Sequence, residues 1–121
     1  MIKNKNDIKI LRPNISSDLS VFKLEENSLS DFDSISSALI ADCHLENHNA
    51  EKVSFNETLF KSVMFTNVSF ENSEFTDVRF ENCDLSNVNF TESSIHRAEF
   101  LNCKLIGINL SETTMMEYSI R

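Results

Sequence analysis

The run Phe55-Asn56-Glu57-Thr58-Leu59-Phe60-Lys61-Ser62-Val63-Met64-Phe65-Thr66-Asn67-Val68-Ser69-Phe70-Glu71-Asn72-Ser73-Glu74-Phe75-Thr76-Asp77-Val78-Arg79-Phe80 places a phenylalanine at every fifth residue. On an α-helix, five steps of about 100° leave successive rings about 140° apart, so they share no face. On a continuous strand an odd period sends them alternately to opposite faces. A chain that keeps these rings together must turn a corner inside every repeat.

The phase extends in both directions. Upstream it takes in Ile35, Ile40, Leu45 and Ala50, and downstream Leu85, Phe90, Ile95, Phe100, Leu105, Leu110, Met115 and Ile120. Only Ala50 in this series lacks a large apolar side chain, so the period governs most of the chain. Two residues before each large one sits a small or β-branched residue, among them Cys43, Val63, Val68, Ser73, Val78, Cys83, Val88, Ala98 and Cys103. On a strand, positions i−2 and i point the same way. Both columns therefore face inward, the residue between them faces out, and the next two turn the corner. Those outward positions are mostly Asn, Ser, Thr, Asp and Glu, which tolerate turns. Asp33, His48 and Tyr118 are large or charged for the small slot. His48 shares its repeat with Ala50 and fills the space that alanine leaves.

Segments such as Phe75-Thr76-Asp77-Val78-Arg79-Phe80-Glu81-Asn82-Cys83-Asp84-Leu85 resemble the pentapeptide-repeat proteins, whose loose motif is A(D/N)LXX. The resemblance implies an all-β fold: a right-handed quadrilateral parallel β-helix with four pentapeptides, or twenty residues, per coil. Its core ladder is Phe55, Phe60, Phe65, Phe70, Phe75, Phe80, Leu85, Phe90, Ile95, Phe100, Leu105 and Leu110. Residues 33–121 supply about four and a half coils, roughly 22 Å tall at the usual strand spacing of about 4.8 Å. Residues 1–32 are out of phase and are expected to form a short non-repeat N-terminal cap, since a bare first coil would expose core and strand edge. In that segment Ile8-Lys9-Ile10-Leu11 alternates weakly, Pro13 stops it, and the mixed apolar run Leu19–Leu24 leads to Glu25-Glu26-Asn27. A second course for it runs along the side that stacks Leu39 over Leu59.

A chain of 121 residues allows one domain. It holds one glycine, Gly107, which argues against a fold needing many turns with positive φ. The net charge of −8 opposes direct nucleic-acid binding. No apolar run approaches a membrane span and no signal sequence opens the chain, so a cytoplasmic protein with free thiols is expected. Assigning every fourth repeat to one side divides the charge unevenly. The first side (Ile35, Phe55, Phe75, Ile95, Met115) carries a net −4, and the fourth (Ala50, Phe70, Phe90, Leu110) a net −3. The second side (Ile40, Phe60, Phe80, Phe100, Ile120) is neutral and the third (Leu45, Phe65, Leu85, Leu105) is −1. Glu57 stacks over Asp77, and Glu92 over Glu112, like charges one strand spacing apart.

No catalytic residues, metal ligands or cofactor emerge. Cys43 and His48 point inward on neighbouring sides while His44 points out, so they do not converge as zinc ligands do. The stacked thiols Cys83 and Cys103 are read as small residues filling narrow slots, because parallel in-register side chains seldom offer disulfide geometry. The expected function is that of a non-catalytic interaction or structural module with a protein partner, which forms a homo-oligomer if its uncapped C-terminal end docks on a second copy. The alternative comes from the resemblance: Qnr- and MfpA-type members are acidic DNA mimics that bind type II topoisomerases such as DNA gyrase. It implies that Glu57, Glu71, Glu74, Asp77, Glu92, Glu112 and Glu117 stand in for phosphates. The chain departs from that group in lacking both a C-terminal helix and a loop that interrupts the repeats.

Overall fold

The computed structural model describes residues 12–24 and 29–121. The Ile8–Leu11 alternation and Glu25-Glu26-Asn27 lie outside the described residues. Six strands form one sheet in sequence order: β1 (Ser20–Val21), β2 (Ser34–Asn49), β3 (Ser54–Ser69), β4 (Glu74–Glu81), β5 (Ser94–Leu101) and β6 (Thr114–Ile120). Every neighbouring pair is parallel. The register from β2 onward pairs Ile35, Phe55, Phe75, Ile95 and Met115 in one column and Ile40, Phe60, Phe80, Phe100 and Ile120 in another. One coil is therefore twenty residues. On the third and fourth sides of the upper coils single bridges carry the stacking, Met64 to Asp84 to Lys104 and Ser69 to Asn89 to Asn109. The molecule is an all-β parallel solenoid of about five turns.

The phenylalanine ladder fills the interior. Phe55, Phe60, Phe70, Phe75, Phe80, Phe90, Leu85 and Ile95 are fully buried, and Phe65 and Phe100 nearly so. Rings in the same column stack, Phe80 lying 4.5 Å from Phe60 and 5.0 Å from Phe100. Rings meeting around a corner approach edge to face, as Phe70 and Phe75 do at 5.6 Å. Both arrangements suit the ring quadrupole. At the top of the ladder Leu105 is half-buried and Leu110 exposed. The small column does polar work as well. Ser93 donates its hydroxyl to the Phe70 carbonyl at 2.7 Å and accepts the Ser73 amide at 3.0 Å. Buried backbone groups at the corner thus find partners that valine could not supply.

The corners correct the expectation drawn from glycine content. Every fifth residue from Phe32 to Glu117 has positive φ, between 51° and 72°, and only Gly107 among them is glycine. Asparagine takes six of these places (Asn47, Asn67, Asn72, Asn82, Asn87 and Asn102), as expected of the side chain that best tolerates this region. Glu57, Glu92, Glu112, Glu117, Lys52 and Arg97 occupy it too. A left-handed corner costs a residue with a Cβ about 1–2 kcal/mol. Here each strained corner is stacked on others of the same shape, and the ladder hydrogen bonds above and below it offset the cost. The side chains add to this, as where Asn67 Nδ2 donates to Asn47 Oδ1 at 2.7 Å. Several corners also close a turn, such as Val88 N to Leu85 O and Ser93 N to Phe90 O, both at 3.1 Å.

Below the first coil, Leu24 and Leu29 join the core. Strand β1 pairs with β2 through Ser20–Ala38 and Val21–Leu39, an offset of eighteen residues in place of twenty. Residues 12–19 then climb the outside of the stack. Asn14 N donates to Asp77 Oδ1 at 3.0 Å and Ser16 N to Glu57 Oε2 at 3.2 Å, while Pro13, Ile15 and Leu19 lie along Leu39, Leu59 and Arg79. This strap is the second course considered for the N-terminal segment.

Candidate interaction surface

Because the interior is packed with rings, the charged and polar groups are arrayed on the outside in columns one strand spacing apart. The corner column between the first and second sides reads Ser37, Glu57, Asp77, Arg97, Glu117. Arg97 reaches one coil down and grips Asp77 with two bonds, Nε–Oδ1 at 2.6 Å and Nη2–Oδ2 at 3.0 Å. That guanidinium, with the Asn14 amide, holds the Asp77 carboxyl below its ordinary value of 3.8. The expected repulsion of Glu57 and Asp77 is met by these donors, since Glu57 accepts the Ser16 amide and Asp77 faces Arg97. At the top of the column Glu117 lies 3.6 Å from His96 Nε2.

On the second side the same twenty-residue step pairs Arg79 with Glu99, Nε–Oε1 at 2.8 Å, and Arg121 bonds the other oxygen of Glu99. The Glu99 side chain is only 3% exposed, so its charge is acceptable only because two guanidinium groups saturate it. Arg12 of the strap lines the cleft above this carboxylate with Ser119 and Arg121. Sequence reading missed this cluster. The signal was present, since Asp77–Arg97 and Arg79–Glu99 are both opposite charges twenty residues apart.

The fourth side differs. Glu51, Glu92 and Glu112 are exposed, and Glu71 accepts a hydrogen bond from Asn89 Nδ2 at 3.1 Å. Among the described residues none of these four carboxylates, nor Glu74 at the neighbouring edge of the first side, enters an ion pair. The seven acidic residues singled out from sequence therefore fall into two groups. Glu57, Asp77 and Glu117 are engaged with the strap, Arg97 or His96, whereas Glu71, Glu74, Glu92 and Glu112 face outward and form no ion pair among the described residues.

The histidines and thiols do not assemble. His44 contacts Thr66 Oγ1 at 2.8 Å and Glu46 Oε1 at 3.1 Å, and His48 Nδ1 lies 2.8 Å from the Glu46 carbonyl. Among the described residues no three His, Cys, Asp or Glu side chains are grouped as metal ligands. Cys43, Cys83 and Cys103 form no disulfide.

A twenty-residue coil with a five-residue inward period, repeated in register, defines a four-sided parallel solenoid built from pentapeptides. Residues 73–119 match the family model described as a pentapeptide repeat region. These residues form a pentapeptide-repeat region, and the same twenty-residue register extends down to residue 34. No curated protein sequence matches it. Among solved structures it is similar to the pentapeptide-repeat protein Rfr23 from the cyanobacterium Cyanothece 51142, with 12% identity and a TM-score of 0.48 over 75% of this chain and 86% of that one. It is also similar to trypsin-treated QnrB1, a plasmid-mediated fluoroquinolone resistance protein, with 9% identity and a TM-score of 0.24 over 83% of this chain and 72% of that one.

Proposed function

We propose that this chain is a non-catalytic cytoplasmic interaction module whose fourth side, with the adjoining edge of the first, receives a basic protein surface. The observation that carries the reading is the contrast between columns. On the first and second sides Arg97 answers Asp77 and Arg79 answers Glu99 from a neighbouring coil, while Glu71, Glu74, Glu92 and Glu112 face outward and enter no ion pair among the described residues. A rod with a filled interior offers recognition only on its outside, and a run of one sign attracts a partner of the other. A photo-crosslinking residue placed at Glu92 or Glu112 is expected to capture a protein partner in the cell, and one at Lys61 on the opposite side to capture none. Equal capture at both places, or none at either, removes the reading.

A second reading makes the same surface a DNA mimic for a type II topoisomerase such as DNA gyrase. It is favoured by Glu92 and Glu112, which set two negative charges one coil apart in the upper part of a column whose lower places are Lys52 and Asn72. Micromolar protein is then expected to inhibit gyrase supercoiling or to protect it from a fluoroquinolone. Replacing Glu71, Glu74, Glu92 and Glu112 with lysine is expected to abolish the effect. An inert wild-type protein sinks this reading and leaves the first standing.

A further inference from the structure

Cys83 and Cys103 occupy the same inward slot of consecutive coils on the third side. Their register is set by the Asp84–Lys104 bridge, and Lys104 N donates to the Cys83 carbonyl at 3.0 Å. Each sulfur contacts a carbonyl of the coil below, Cys83 Sγ to Phe60 O at 3.4 Å and Cys103 Sγ to Phe80 O at 3.3 Å. Their exposure differs. Cys83 is buried, while Cys103, in the last described coil, is half-buried.

The two thiols are neighbours in one column, and each influences the other's ionisation. Hydrogen bonding to Cys103, together with burial, pushes Cys83 well up, and the bond from Cys83 brings Cys103 down to about 7. A thiol that ionises near ambient pH is the best placed to attack a disulfide. Parallel in-register strands hold paired Cα atoms about 4.8 Å apart. That lies inside the range of about 4.4–6.8 Å spanned by disulfides, whose Cβ atoms sit about 3.5–4.5 Å apart. With parallel Cα–Cβ vectors the Cβ atoms also start about 4.8 Å apart, so closing the bridge takes an approach of roughly 0.3–1.3 Å. Cys43 is the internal comparison: it too is half-buried and lies in the same column, but the residue paired above it is Val63.

We propose that Cys83 and Cys103 form a thiol modification site for a low-molecular-weight disulfide such as oxidised glutathione, with Cys103 attacking and Cys83 resolving. The Cys103 thiolate attacks one glutathione sulfur, the glutathione S–S bond breaks, and one glutathione thiolate leaves. Once Cys103 is a disulfide sulfur, its charge no longer holds the Cys83 proton, which passes to the departed thiolate. Cys83 then attacks the Cys103 sulfur and expels the second glutathione thiolate, which takes a proton from water. Two protein thiols are oxidised to one disulfide, and one oxidised glutathione is reduced to two thiols. The shift needed to close the bridge leaves it strained and readily reduced again.

The test incubates the folded protein with oxidised glutathione at neutral pH and maps its peptides without reduction. The expected product joins the Cys83 and Cys103 peptides with loss of two hydrogens, while Cys43 stays a thiol. Cys83→Ser should accumulate glutathione at Cys103. Cys103→Ser should take up none at Cys83. Modification of Cys43 before Cys103, glutathione on Cys83 in Cys103→Ser, or no modification of the wild-type protein would each overturn the proposal. The wild-type map reads the outcome even if a variant fails to fold.

Discussion

Replacing Phe80 with alanine is the sharpest test of how this stack is held together. The ring is fully buried and lies between Phe60 at 4.5 Å and Phe100 at 5.0 Å, with Phe75 and Phe65 tilted against it at 6.3 and 6.4 Å. Truncating a core phenylalanine costs about 3–5 kcal/mol, including the cavity left behind. Two stacked pairs, each contributing about 0.5–1.5 kcal/mol, place this site in the upper part of that range. The neighbours cannot collapse inward, because each is pinned by the ladder of its own coil. A loss of about 4–5 kcal/mol is a large part of the roughly 5–15 kcal/mol that holds a domain of this size. Leu110 belongs to the same periodic series but is 36% exposed at the top of the stack, so Leu110→Ala should cost only about 1 kcal/mol. Urea titrations followed by circular dichroism, extrapolated to water, compare the two variants. Equal losses at the two sites, or a loss below about 2 kcal/mol for Phe80→Ala, would refute the claim that central rings carry the fold.

Three further outcomes follow from the corners and the strap. Asp77→Asn removes the charge gripped by Arg97 and weakens the acceptor for the Asn14 amide, so proteolysis within residues 12–19 should quicken while the solenoid spectrum stays unchanged; unaltered protection would show that the apolar contacts with Leu39 and Leu59 suffice. Acid should act the same way: the folded Asp77 value is depressed, so its contribution is complete above the ordinary 3.8 and lost as pH falls through the lowered value. Hydrogen exchange at the Asn14 and Ser16 amides, compared with the interior amides, should report loosening first at the strap as pH drops below about 4, and simultaneous loss everywhere would contradict it. Glu92→Asn replaces a strained corner at φ 58° with the residue best suited to it, and should raise stability by up to about 1 kcal/mol in a thermal melt, whereas a fall would show that the glutamate was not strained.

The inward face of this protein was legible because it is written in side chains. A phenylalanine every five residues excludes helix and continuous strand, and the small residue two places earlier gives the direction of the inward face. The left-handed corners were not legible from glycine content. Positive φ was taken to require glycine, but at Glu92 and Glu112 the side chain projects from the corner into solvent, and the stacked coils enforce the backbone angle. The strap was legible only as one of two courses, for a different reason. Asn14 and Ser16 are held through their backbone amides, and an amide bond leaves no mark on which residue stands there. Its apolar members Pro13, Ile15 and Leu19 form no period, because the segment crosses the coils instead of joining them.

A solenoid of this kind turns a sequence interval of twenty into a spatial interval of one strand spacing, so the sign pattern along each column becomes a physical choice. Where Asp77 is followed by Arg97, and Arg79 by Glu99, each coil is tied to the next by a charged pair, and the buried Glu99 depends on that tie. Where Glu92 is followed by Glu112, the same interval sets like charges one coil apart and works against stacking. The fold does not need that arrangement, since a serine or asparagine at either corner would serve the backbone at least as well. Stability therefore accounts for the columns of the first and second sides and leaves the fourth side unexplained. That remainder is the physical basis for assigning partner recognition to Glu71, Glu74, Glu92 and Glu112 in preference to Glu57 and Asp77, whose charges the molecule spends on itself.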